Sequence, residues 1–596
     1  MRGIDQATKR RFKRSFRQKR RNTLESVYQA DDKIEKLLIR RFDRLVYVRR
    51  FVFLWILIFA VMILITIGQI RGLSAYYQTL KPIPGGLYTE GLLGNFTNAN
   101  PLFATGAADT AVSRLVFSGL FKYDASNNLV GALATGYDLD ASQKVYTVHL
   151  RHGVTWQDGK PFTADDVVYT YSTIQNINAQ SALYSSWQGI NVIKKDNYTV
   201  VFQLPDALSS FPYSLTNGIV PKHLLNKIPL EQLRSAPFNT DPVGTGPFVW
   251  KYVEVTGSTV DSRQQRISFS ANSKYWGGKP KLDGLSLITF NGDDQMISAF
   301  EKKQLNAMSG LDTVPPELAS DNSVQVYNTP LTTAVMAFYN NSKPALNDVN
   351  VRKALSAGVD RGRLVNLLGS PVKLVDEPLL KGQLGYDPKA AEPAYSISSA
   401  DNYFKQAGYT KGGDGLWQKG GQPLELTISA QNTANYTHVA EFLQEQWNKL
   451  GVKININYYS SDDLQTSIIG GHDYDILLYG VSIGVDPDVF AYWDSSQASL
   501  TSQGHLNLSE YKSKAADTDI EAGRTRSDPT IRAVKYRAFD AQWASDMPAL
   551  GLYQPNYLYV TRGPVFNYER KADNFSSDRF YNVADWEIRQ QRVTNP

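Results

Sequence analysis

Six histidines, two near-neighbour aspartates and one glycine-rich turn are the residues whose types and spacing bear most directly on chemistry. The histidines are His149, His152, His223, His438, His472 and His505, and only the first two are close in sequence. Residues three apart on a strand face opposite ways, so His149 and His152 make a poor metal pair, and surface or packing roles are expected. Asp486 and Asp488 in VDPDVF would serve as paired acid and base only if both faced one substrate. Asp-Pro-Asp reads instead as a turn. The stretch VGTGP at 243–247 lacks the lysine and following helix of a phosphate loop and reads as a tight turn. The chain has no G-x-S-x-G elbow, no G-x-x-x-x-G-K-[ST] loop and no H-E-x-x-H helix. With 0 Cys, disulfides, thiolate zinc, iron–sulfur clusters and cysteine nucleophiles are excluded. An enzyme is disfavoured, and no catalytic residue, metal ligand or cofactor is expected.

The 596 residues are 42% apolar and 12% aromatic, with 43 Gly and 27 Pro. That composition rules out a disordered or fibrous chain, and the length suggests about three or four domain-sized cores. The net charge of +6 is unevenly spread. Residues 1–50 hold 17 Lys+Arg against 6 Asp+Glu, which leaves 46 against 51 for the rest. The basic pI belongs to the tail, and the mildly acidic body is a poor partner for nucleic acid.

Phe51 to Ile70 reads FVFLWILIFAVMILITIGQI, twenty residues without a charge. As a helix it spans about 30 Å, the thickness of a bilayer core. Arg49, Arg50 and Arg71 bound it, with Tyr47 at one end and Tyr76 and Tyr77 at the other. The basic excess precedes the span, which places residues 1–50 in the cytoplasm and the remainder outside. A cleaved signal peptide has a shorter apolar run and a shorter basic region, and Leu73-Ser74-Ala75 is a weak cleavage site. A retained anchor at 51–71 is expected. The run KRRFKRSFRQKRR at 9–21 reads as a solvated orientation signal rather than a specific binding site.

Beyond the span, helix and strand patterns interleave, which argues for α/β or α+β. Lys144 to Leu150 alternates, with Tyr146, Val148 and Leu150 on one face, before a turn at Gln157-Asp158-Gly159. Thr163 then suits an N-cap, with Asp165 and Asp166 in the first turn of a helix. Leu424 to Ala430 reads as a strand, followed by a helix through Val439, Phe442, Leu443 and Leu450 that stops at Gly451. Val452, Ile454, Ile456 and Tyr458 alternate as a further strand, and YDILLYG at 474–480 as another. A capped helix is expected from Asp348, with Val351, Leu355 and Val359 four residues apart.

Seven stretches together resemble the extracytoplasmic solute-binding proteins of family 5, which includes the oligopeptide, dipeptide and nickel binding proteins of ABC importers. They are SRLVFSGLFKYD (113–124), the long run from Leu129 to Tyr171, DPVGTGPFVW (241–250), ANSKYWGGKPKLDG (271–284), NDVNVRKALSAGVDR (347–361), LGVKININYYSSDDL (450–464) and LYQPNYLYV (552–560). The resemblance implies an α/β chain of the two-lobed periplasmic-binding-protein type (Venus-flytrap, cluster C), with an extra subdomain and one preceding transmembrane helix. Lobe I would comprise 88–120, 217–316 and 549–596, with the family-specific subdomain at 121–216. Lobe II would be 317–548. The lobes would close on a ligand about a hinge.

In peptide-binding relatives two backbone segments hold an extended ligand as an added strand. By resemblance these are Thr105, Gly106 and Ala107 in lobe I, and Gly480, Val481 and Ser482 in lobe II. Peptide-binding members also carry an aspartate that pairs with the ligand's α-amino group. Here its position falls on Ile483 or Gly484, and Asp486 is the nearest substitute. Trp493 is a further cleft candidate. The function implied is a membrane-anchored, extracytoplasmic substrate receptor for an ABC importer, binding peptides and working with membrane permease subunits as a monomer. The alternatives are a ligand-sensing ectodomain, or the same receptor role for an oligosaccharide or metal chelate. Relatives held by a lipidated cysteine have a counterpart here in the apolar span, which would keep the receptor concentrated at its permease.

Overall fold

The computed structural model describes residues 25, 49–259, 263–311, 313–368, 372–390, 392–500 and 506–594. The run 9–21 and His505 lie outside them. The chain divides into two compact units, Met1–Lys81 with Gln590–Pro596, and Pro82–Arg589.

The first unit carries the helix Arg49–Tyr77. Its stretch Arg49–Gln69 is long and apolar enough to cross a membrane, and none of it is buried against protein. At 29 residues the helix is about 44 Å long, somewhat more than a bilayer core requires.

The second unit is built on two large sheets. The first has seven strands in the order Val324–Pro330, Asn556–Arg562, Ala307–Leu311, Leu87–Leu93, Gly284–Phe290, Gln264–Ala271 and Phe248–Thr256. The second has six, in the order Lys373–Leu374, Ala549–Gln554, Thr333–Tyr339, Ile476–Ser482, Glu425–Gln431 and Lys453–Tyr459. Central strands covered on both faces read as continuous apolar runs. In TAVMAFY (333–339), Val335, Ala337 and Tyr339 enter one core while Ala334, Met336 and Phe338 enter the other. The expected βαβ unit is present: Glu425–Gln431 and Lys453–Tyr459 are parallel, joined by the helix Ala434–Leu450. Gly451 ends that helix at φ 100°, a left-handed position.

The subdomain is a four-stranded sheet ordered Ala134–Leu139, Val145–Leu150, Thr199–Gln203 and Asn191–Asp196. Tyr146, Val148 and Leu150 are its buried face, as the alternation predicts. Thr163 and Asp166 form a reciprocal capping box at the helix Ala164–Ile174. At VGTGP the chain bends closely against the helix end at Val116: a Cβ on Gly244 would lie 1.9 Å from the Val116 carbonyl oxygen. The subdomain shares one continuous apolar core with the first sheet, from Tyr88 and Leu92 through Val148 and Trp187 to Trp586.

Val324–Pro330 belongs to the first sheet and Ala549–Gln554 to the second. The chain therefore passes from the first sheet to the second at Leu331–Thr332 and back at Pro555. Where it crosses, Leu331 N–H donates to the Pro555 carbonyl (2.9 Å) and Gln554 Nε2 to the Leu331 carbonyl (2.7 Å). Among the described residues no buried apolar cluster draws on both lobes. Two separately packed lobes joined by two short crossings can rotate without unpacking either one.

Candidate functional site

The lobes meet through polar groups at two places. Beside the hinge, Thr332 N–H donates to the Asp573 carbonyl (2.9 Å), and Thr332 Oγ1 to Asn574 Oδ1 (2.6 Å). Away from it, Ser209 N–H and Oγ both donate to the Arg524 carbonyl (2.8 Å each), and Ser210 Oγ donates to Asp488 Oδ2 (2.8 Å). Ser527 N–H donates to Gln143 Oε1 in the same region (2.9 Å).

Lobe I contains a hollow of about 660 Å³, a volume suited to a small-molecule or short-peptide ligand. Thr105 and Ala107 line it, with Phe117, Trp187, Asn217 and Phe575. Gly106 caps the helix Ala107–Val116 at φ −70°, with open space around its Cα apart from Asp109 Oδ2 at 3.9 Å. Another chain can approach this backbone closely. Asp109 is buried and committed, accepting from Thr97 N–H, Thr97 Oγ1 and Asn98 N–H at 2.7–3.0 Å. Arg114 donates to Asp578 (2.5 Å), and Asp578 also accepts from Asn574 N–H (3.1 Å), so this pair pins the wall at 574–577.

A second hollow of about 390 Å³ shares Arg114, Phe117 and Gly119 with the first. Lys122 and Arg151 lie over the Trp276 ring there, at 5.8 Å and 5.0 Å. Burial lowers the Lys122 pKa, against the pull of Asp585, and Arg151 lowers it further.

In lobe II the expected segment Gly480, Val481 and Ser482 ends a strand with one open edge. Pairing with Glu425–Gln431 stops at Leu478, while pairing with Thr333–Tyr339 continues to Ser482. Ile483 N–H donates to the Thr332 carbonyl and Asn340 N–H to the Asp475 carbonyl, both at 2.9 Å. In that register the odd-numbered residues from Asp475 to Ile483 hydrogen-bond toward Thr333–Tyr339. The even-numbered Gly480 and Ser482 therefore present their N–H and C=O groups to the open side. This is a ready place for one more strand.

Two other expected positions are differently engaged. Asp486 is 9% exposed and its Oδ1 accepts from Arg532 Nη2 at 2.6 Å. Burial raises its pKa while Arg532 pulls it down. Its charge is spent inside lobe II, so it is not free to meet a ligand cation. Asp488 has its own partners in Arg524 (3.4 Å) and Ser210, so the two carboxylates do not face a shared centre. Trp493 is 1% exposed, stacked on Phe338 (5.7 Å) and edge-on to Trp543 (5.5 Å). It is core, not cleft. Ile483 and Gly484, which precede Asp486, bring no charge.

Among the described residues, three histidines make surface and packing contacts. His149 bonds Asp138 (2.8 Å), His152 stacks on Tyr198 (3.9 Å) and His223 bonds Asp158 (2.7 Å). Among the described residues no cluster could hold a metal.

Perturbed carboxyls often mark function, and Glu377 with Asp540 is the most perturbed pair. Both are fully buried in lobe II. Burial raises both pKa values; the charge of Glu377 adds to it at Asp540, whereas at Glu377 the neighbouring Asp376 adds to it and a hydrogen bond with Asp540 pulls the other way. The folded state thus holds protons that the unfolded state releases, so stability should fall as pH rises above the ordinary carboxyl range. Melting of Asp540→Asn at about pH 5 and about pH 8 should show a smaller pH difference than the parent chain. An unchanged difference would remove this pair as the cause.

The comparisons with known proteins agree with this architecture. The family described as bacterial extracellular solute-binding proteins, family 5 Middle, matches residues 128–501. The chain is 26% identical over 526 residues to the oligopeptide-binding protein AppA of Bacillus subtilis, covering 86% of this chain and 93% of that one. It is 25% identical over 514 residues to the dipeptide-binding protein of Escherichia coli, covering 81% and 92%. Among solved structures, B. subtilis AppA in complex with a nonapeptide superposes with a TM-score of 0.69 and 25% identity, over 85% of this chain and 100% of that one. NikZ from Campylobacter jejuni, in complex with Ni(L-His), gives 0.70 and 24%, over 84% and 99%. With two lobes, a hinge of two crossings and a match over most of its folded body, the chain belongs to the bacterial extracellular solute-binding proteins of family 5.

Proposed function

We propose that the chain is the membrane-anchored, extracytoplasmic substrate-binding component of an ABC importer, and that it captures peptides by closing its lobes on them. The helix Arg49–Tyr77 would hold it in the cell membrane in a single pass, with residues 1–50 in the cytoplasm and the lobes outside. Permease subunits in the same membrane would receive the ligand. No chemical step is assigned to it.

The observation that carries the reading is the open edge at Gly480 and Ser482 beside the hinge, in a chain whose other lobe holds an apolar-lined hollow. Main-chain groups recognise peptide backbone without regard to sequence, and a hollow accepts varied side chains. AppA, a relative over most of its length, is a peptide binder by name and by its nonapeptide complex.

A non-peptide solute is the second reading. It is favoured by Asp486, whose pairing with Arg532 already engages that carboxylate. The Ni(L-His) complex of NikZ shows such ligands on the same fold.

Thermal unfolding of the full chain in detergent tests both readings. A pool of peptides two to six residues long should raise the melting temperature, since a hundredfold excess over Kd stabilises by about 2.7 kcal/mol. A response to nickel–histidine alone would select the second reading. No response to either panel contradicts both.

A further inference from the structure

Two tyrosine hydroxyls occupy the open edge of lobe II. Tyr492 Oη donates to the Ser482 carbonyl at 2.7 Å. The hydroxyl of Tyr436, in the first turn of the helix Ala434–Leu450, stands against Gly480. It lies so close that a Cβ on Gly480 would be 3.0 Å away. Burial raises the pKa of both phenols to about 12, so both remain neutral hydroxyls at physiological pH.

Four main-chain groups face that edge. In order they are Gly480 N–H, Gly480 C=O, Ser482 N–H and Ser482 C=O. Tyr492 takes the last of them, and the Tyr436 hydroxyl stands beside the first. The inner two lie on either side of Val481 and have the spacing that one residue of an added parallel strand satisfies, while an antiparallel strand would meet them with two residues, two positions apart. A longer added strand needs the outer groups as well.

We propose that Tyr436 and Tyr492 set the length of backbone that this edge accepts, by capping its outer groups and leaving a ladder that one residue of a parallel guest fills. This rests on the peptide reading above and adds to it a ligand class: guests held at a single residue of main chain in lobe II, with the remainder of the ligand in the lobe I hollow. Extended guests that ladder further must displace one or both hydroxyls, and so bind more weakly than their contacts would otherwise allow.

The test uses Tyr436→Phe, Tyr492→Phe and the double variant in the full chain in detergent, since phenylalanine keeps each ring and removes only the hydroxyl. Trialanine and hexaalanine are the probes, with affinities from calorimetry. The double variant should move the affinity ratio of the two about tenfold toward hexaalanine, as expected for two competing hydrogen bonds removed. An unchanged ratio overturns the proposal. Hydrogen exchange at Gly480 provides a readout that needs no ligand. It should rise at least tenfold in Tyr436→Phe and stay constant in Tyr492→Phe, and equal rates in all variants overturn the capping. If neither peptide binds the parent chain while exchange at Gly480 responds, the caps stand and the length rule falls with the peptide reading.

Discussion

Replacing Arg579 by leucine should cost about 3–5 kcal/mol of stability, the range for removing one partner of a buried ion pair. Arg579 is 2% and Glu90 0% exposed at the side chain. Arg579 Nε donates to Glu90 Oε1 (2.9 Å), its Nη2 makes a second bond to the same oxygen, and its Nη1 reaches the Ser576 carbonyl (2.5 Å). The guanidinium also lies 4.0 Å over the Phe580 ring. Glu90 is in the middle of the strand Leu87–Leu93, at the centre of the first sheet, and accepts a further bond from Tyr559 Oη (3.0 Å). Without Arg579 the carboxylate is left charged in an apolar core. The double variant Glu90→Leu with Arg579→Leu should lose less than the sum of the singles, because an uncharged pair leaves no buried charge. Tryptophan fluorescence in urea measures all three. Additive losses, or a single-variant loss below about 1 kcal/mol, would contradict this account of the core. Since Arg579 also holds Ser576, a residue lining the larger hollow, the variant should loosen that wall as well.

The second large effect falls on binding. Ser482→Pro should weaken peptide binding tenfold or more while leaving the empty protein's stability within about 1 kcal/mol. Proline removes an N–H and adds a ring where the N–H pointed. At Ser482 that N–H faces the open edge, so the ladder to Thr333–Tyr339 is untouched. Val481→Pro is the contrast. Val481 is an odd-numbered position paired with Ala334, so its proline removes a ladder bond inside the sheet and should lower stability without any ligand present. Equal behaviour of the two variants would show that the register argument fails.

The sequence made the local elements plain where a pattern is complete within a short window. Alternation placed the strand at Val145–Leu150, Thr163 placed a helix start, and Gly451 placed a helix end. The seven family stretches then supplied the two-lobed architecture that no local pattern contains. What stayed hidden is long-range. Val324–Pro330 and Ala549–Gln554 read as strands of no particular sheet, so the passages between sheets at Leu331–Thr332 and Pro555 are not legible in the sequence. Asp486 reads as a free carboxylate until Arg532 comes beside it from the helix Pro529–Asp546. Trp493 in AYWDSSQ has the look of a cleft residue, and only Phe338 and Trp543 make it core. Tyr436 and Tyr492 are two of 34 tyrosines, and nothing near them in sequence distinguishes their hydroxyls from the others. The apolar span, by contrast, is a composition signal, and the helix Arg49–Tyr77 contains all of it.

The central claim is mechanical: two independently packed lobes hold a guest by moving about two short crossings. Because the chain has 0 Cys, a pair of introduced cysteines labels it without background. Lys160→Cys in the subdomain and Gln406→Cys in lobe II are exposed positions on opposite lobes. Inter-label distances by pulsed electron resonance, on the full chain in detergent, should include a longer population without ligand that collapses to a single shorter one at saturating peptide. Identical distance distributions with and without a peptide that demonstrably binds would contradict the account.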